Sequence, residues 1–90
     1  DLRNLSVDEL LTYAKEQWDE EERIDKINMV AELLYAEGSY KVQPLRQMLM
    51  EKSYRLFDYV EANGSTFSID RRQKMEAMRQ ELGNKLSQID

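Results

Sequence analysis

The sequence predicts an all-α fold, an antiparallel up-down four-helix bundle, and three observations point to it. Apolar residues recur at three- and four-residue spacing in four stretches, no long polar/apolar alternation bounded by turns occurs, and helix start and stop residues fall between the stretches. Ninety residues, 41% apolar and 34% charged, suit one domain over residues 1–90 with one modest core.

The first helix is expected at about 6–20. Ser6-Val7-Asp8-Glu9 supplies a cap hydroxyl and a glutamate three residues on, and Val7, Leu10, Leu11, Ala14 and Trp18 share a stripe. Asp19 to Glu22 then crowd like charges, so the helix either breaks there or runs on solvated. A second helix at about 22–37 faces Ile24, Ile27, Val30, Ala31 and Leu34 inward, with Gly38 as a left-handed stop.

Pro44 reads as the first turn of a third helix at about 43–62, where its missing amide hydrogen costs nothing. Leu45, Met48, Leu49, Leu56, Phe57 and Val60 mark its inner side, and Asn63-Gly64 its end. Ser68 caps a fourth helix at about 68–88, with Phe67 placed as a staple on its first turn. Ile69, Met75, Met78, Leu82, Leu86 and Ile89 line that helix, and Gly83 sits inside the stripe, where a close helix crossing would explain it. The third and fourth helices, similar in length, are expected to form an antiparallel hairpin. The expected core is Leu10, Leu11, Ile27, Val30, Leu34, Leu49, Leu56, Phe57, Val60, Met78 and Leu82, with Met29 and Met50 off the inner stripes.

Composition closes many kinds of chemistry. The chain has no histidine and no cysteine, hence no imidazole base and no thiolate ligand or nucleophile. Its three glycines lie too far apart for a phosphate-cradling loop. Asp19 to Glu22 lacks the alternating acids and central glycine of a calcium loop, and no carboxylate pair is marked out as acid and base. The expectation is therefore no enzyme, no catalytic residue, no metal and no cofactor. No run of about eighteen apolar residues or signal-peptide pattern is present, which predicts a cytoplasmic protein, peripheral to a membrane at most. The chain opens at Asp1, without methionine, as a processed or trimmed chain would.

Charge is uneven. Residues 1–22 hold eight acids against two bases, whereas residues 63–90 hold four against five, within a net charge of −5. The acidic first quarter disfavours nucleic acid and anionic lipid as partners. Lys52, Arg55, Arg71, Arg72, Lys74 and Arg79 are the concentration of positive charge, and Arg71 and Arg72 stand at a helix start, where the dipole opposes them. They read either as a recognition surface or as partners of Glu51, Asp58, Glu61 and Asp70 nearby.

Val42-Gln43-Pro44-Leu45, a long helix, Asn63-Gly64, then Phe67-Ser68 and Gln73 ahead of Leu82 resemble the C-terminal half of the immunity proteins against class IIa (pediocin-like) bacteriocins. The likeness covers about residues 42–86; before it, only helical character and Leu33-Leu34-Tyr35 agree. The resemblance implies a small cytosolic four-helix bundle. Such a protein would shield a Gram-positive cell by engaging the bacteriocin-bound mannose phosphotransferase permease from inside. It also implies that specificity lies in the C-terminal half. On these grounds the candidate partner contacts are Arg55, Asn63, Gly64, Arg71, Arg72, Lys74 and Arg79, on a monomer. The alternative is an oligomeric structural or adaptor domain.

Overall fold

The computed structural model describes residues 1–83. It is an all-α four-helix bundle: a short 3-10 turn at Leu2–Asn4, then α1 (Val7–Gln17), α2 (Glu20–Ser39), α3 (Leu45–Asn63) and α4 (Ile69–Leu82). The expected inner positions Leu86 and Ile89 lie outside the described residues.

Helix ends follow local chemistry. The Glu9 amide donates to Ser6 Oγ (3.1 Å) and the Ser6 amide to Glu9 Oε1 (2.8 Å), which closes the expected capping box. The acid run resolves as a break. Trp18 is extended, Asp19 Oδ1 accepts from the Glu22 amide at 2.9 Å, and Glu20, Glu21 and Glu22 occupy the first turn of α2. There the unpaired amides and the positive end of the helix dipole favour acidic side chains. At the start of α3, Pro44 precedes the first helical residue, and Gln43 Oε1 accepts from the Gln47 amide at 2.9 Å. Ser68 Oγ caps α4 by accepting from the Arg71 amide at 3.1 Å.

Three glycines have different reasons from one another. Gly38 does not stop α2, which continues to Ser39. It is buried where a Cβ would stand 3.3 Å from both Leu49 Cβ and Met50 Cε, so its role is to let α3 approach. Gly64 follows α3 in an extended conformation. Gly83, expected inside α4, instead terminates the helix at φ +52°, a conformation that L side chains adopt only with strain.

The centre of the bundle is α2 against α3, the pair with the most extensive contact and nearly equal lengths, whereas α4 is shorter than expected. Ser53 Oγ donates to the Ala31 carbonyl at 2.8 Å, Gly38 meets Leu49 and Met50, and Gly64 meets Ile24, so residue numbers fall along α2 as they rise along α3. That is an antiparallel pair. α1 adds Val7, Leu10 and Ala14 to the core from one side, and α4 adds Met75, Met78 and Leu82. Phe57, Leu10, Ile27, Leu34 and Leu56 are sealed from solvent.

Several assignments change, and Leu45, expected on the inner side of α3, is exposed. Met48 is exposed and Met50 buried: Met50 stands three and seven residues before the buried Ser53 and Phe57 on the inner face of α3, where its methyl packs at Gly38. Leu11 is only partly buried, packed on the edge of the core. Ile69 and Phe67 are largely exposed. In place of a hydrophobic staple, the Arg72 guanidinium lies 4.6 Å from the centre of the Phe67 ring.

Candidate partner-contact surface

The residues singled out from the sequence separate into three groups. Asn63 and Gly64 stand at the turn between α3 and α4. The Asn63 side-chain amide donates to the Tyr59 carbonyl (2.9 Å), and the Gly64 amide donates to the Val60 carbonyl (2.8 Å), which together finish α3. With Ser65 and Thr66 they wall a cleft of about 590 Å³ whose opposite side is Glu20, Glu21, Ile24 and Asp25 of α2. A run of acids that reads in sequence as a solvated end is thus brought opposite the hairpin turn, and the cleft is acidic.

Arg71 belongs to a second group. It is 6% exposed, which removes it from the accessible surface. Its Nε donates to Glu61 Oε2 (2.5 Å) and its terminal nitrogen to the Thr66 carbonyl (2.7 Å), so one guanidinium ties the turn to α3. An unfavourable place at a helix start is offset by a largely buried carboxylate partner, while the guanidinium's other donors reach a backbone carbonyl, a division its planar set of N–H groups allows. Arg72 reaches the other oxygen of Glu61 (3.0 Å) from a mostly exposed position.

Arg55, Lys74 and Arg79 form the third group, spread along the outside. Arg55 lies 3.9 Å from Asp8, too far for a hydrogen bond. Lys74 donates to Glu32 and, at 2.9 Å, to Asp70, with its ammonium 5.5 Å from the Tyr35 ring centre. Partial burial opposes its charge, but the two carboxylate bonds outweigh that, and its pKa is raised. Arg79 donates to Glu76 and to the Tyr54 hydroxyl (2.8 Å), and both bonds raise its pKa. The positive charges of α4 are therefore largely neutralised by neighbours. Their partners include Glu61 and Asp70, as spacing suggested, but also Glu32 and Glu76, the first of which only the tertiary fold brings near.

Among the described residues no group of three or more acidic side chains is placed to hold a metal ion. No helix among them is long and apolar enough to cross a membrane. Comparison with protein-family models, curated proteins and solved structures finds no match to this chain.

Proposed function

We propose that this chain acts by protein contact, as an immunity protein that protects a Gram-positive producer or neighbouring cell from a pediocin-like bacteriocin. Its partner in this reading is the bacteriocin-bound mannose phosphotransferase permease, met from the cytoplasmic side. The supporting observation is that the residues carrying the family resemblance fold as one hairpin, α3 and α4, whose turn at Asn63–Thr66 forms one wall of an open cleft. Asn63 and Gly64 are the contacts at that cleft, and the exposed Arg72 borders a separate depression on the same hairpin, beside Glu61 and Arg79. Arg55, Lys74 and Arg79 extend the surface, and Arg71 positions the turn from beneath.

Recognition of this kind needs a rigid platform more than a reactive group. Arg71 supplies rigidity by holding the Thr66 carbonyl and Glu61 at once, so the turn is ordered before any partner arrives and less entropy is lost on binding. Expression in a bacteriocin-sensitive strain, followed by challenge with a panel of pediocin-like peptides, tests the reading. Protection against at least one peptide is expected, weakened by Asn63→Ala together with Arg72→Ala. Unchanged killing by every peptide would overturn it.

A further inference from the structure

Along α2, Met29, Leu33, Ala36 and Tyr40 follow one another at spacings of four, three and four residues, which in a helix aligns them in one stripe. The stripe runs about 16 Å and lies on the side of the helix away from Ile27, Val30, Ala31 and Leu34, which fill the core. No element among the described residues covers it. Met29 is 52% exposed, Leu33 48% and Tyr40, at the C-cap, 89%. The spacing matches the apolar seam by which one helix packs along another.

Charge says what kind of helix would fit. Glu22 continues the stripe toward the N-terminus, Asp25 and Glu32 follow one edge, and Glu37 follows the other. Both cations in the first half of α2 are drawn aside to Trp18. Arg23 donates to its carbonyl (3.2 Å), and the Lys26 ammonium lies 5.4 Å from its ring centre. Glu21, Glu22 and Asp25 form no ion pair among the described residues. Glu32 is paired with Lys74 and Glu37 with Arg3, so the acidic border of the seam is its N-terminal part, at Glu22 and Asp25.

We infer that the outer face of α2 is a docking surface for a cationic amphipathic helix, with partner leucine-type side chains on Met29, Leu33 and Tyr40 and partner lysines or arginines on Glu22 and Asp25. A second copy of the chain fits poorly, because two such faces would set acidic edges together on molecules that each carry −5. This surface borders the hairpin cleft at Asp25, but its apolar seam at Met29, Leu33 and Tyr40 lies outside that cleft and does not depend on the immunity reading.

The probe is a synthetic helix of about three heptads, with leucines at the seam and lysines flanking it, compared with the same peptide carrying glutamates in place of the lysines. Calorimetric titration of the whole chain should show saturable binding of the lysine peptide and none of the glutamate peptide. Leu33→Ser and Asp25→Lys, both at exposed positions, should each weaken binding by about tenfold or more. Met48→Ser and Asp58→Lys, which remove an exposed apolar side chain and an exposed acid elsewhere, should leave it unchanged. Equal binding of the two peptides, or unaltered binding by the α2 variants, would overturn the inference. So would self-association of the chain that Leu33→Ser abolishes, since the face would then be taken by a second copy.

Discussion

Arg71 Nε lies 2.5 Å from Glu61 Oε2 across the α3–α4 hairpin, with both side chains largely withdrawn from water. Removing one partner of such a pair leaves the other charge buried and short of hydrogen bonds, which costs about 3 to 5 kcal/mol in well-buried cases. Glu61 retains Arg72 and some solvent contact, so Arg71→Ala should fall near the lower end, about 3 kcal/mol. Arg72→Ala should cost less than about 1 kcal/mol, because its guanidinium is mostly solvated. Urea unfolding of the two variants checks the contrast. Equal midpoints would mean that Arg71 does not secure the turn.

Phe57 is completely buried in the core of the bundle. Phe57→Ala should therefore lose about 3 to 5 kcal/mol and lower the thermal midpoint by more than about 10 °C for a domain of this size. Calorimetric melting measures it. A fall of only a degree or two would show that the face of α3 is turned away from where Phe57 places it.

Core positions such as Leu10, Ile27, Leu34, Leu56 and Phe57 were legible because a buried helix face repeats at a fixed angle, whatever the neighbouring helix is. Met48 and Met50 were not. They differ by two residues on one helix, and Met50 shares its face with Ser53, a polar residue whose burial rests on the Ala31 carbonyl of another helix. The same limit explains the candidate surface. Asn63 and Gly64 were readable as a turn, but the acids opposite them come from α2, nearly forty residues earlier. Arg71 was noticed because the helix dipole opposes it, and Glu61 was among its expected partners; nothing local revealed that the Thr66 carbonyl also holds it and that the pair is withdrawn from water. Asp19 carried a usable signal, an acid three residues before another acid at a helix start, which could have marked it as an N-cap.

Three glutamates contribute to how the fold responds to acid. Glu81 is held below the usual carboxylate range by the hydrogen bond from Arg46, Glu76 by bonds from Gln80 and Arg79, and Glu9 by the Ser6 amide and hydroxyl. A carboxyl whose pKa is lower folded than unfolded contributes its full share above the unfolded value, about 4.3, and loses it as pH falls through the folded value. Lys74 is the opposite case. Its raised pKa contributes fully below the unfolded lysine value, about 10.4, and the contribution is lost as pH climbs through the folded one. The contribution of these groups should thus be fully present and unchanging across neutral pH, and the thermal midpoint should decline below about pH 4. Glu81→Gln should shrink the acid decline, since the group that titrates there is gone. An identical decline in that variant would count against Arg46 and Glu81 as contributors.

Gly64 and Gly38 separate two kinds of tight approach. A Cβ on Gly64 would stand 2.8 Å from the Val60 carbonyl oxygen and 3.2 Å from Ile24 Cγ2, and the first of these is backbone that already accepts the Gly64 amide. Relief therefore requires the end of α3 to shift, and Gly64→Ala should destabilise by about 1 to 3 kcal/mol. At Gly38 the nearest atoms are Leu49 Cβ and the flexible tip of Met50, both at 3.3 Å, and a small movement of the methionine accommodates part of the overlap. Alanine also gains up to about 1 kcal/mol over glycine within a helix, so Gly38→Ala should change stability by less than about 1 kcal/mol in either direction. Denaturant melts of the two variants distinguish the cases. A Gly38→Ala loss as large as that of Gly64→Ala would mean that Met50 cannot move, and that α2 and α3 are locked at their crossing as rigidly as the hairpin turn.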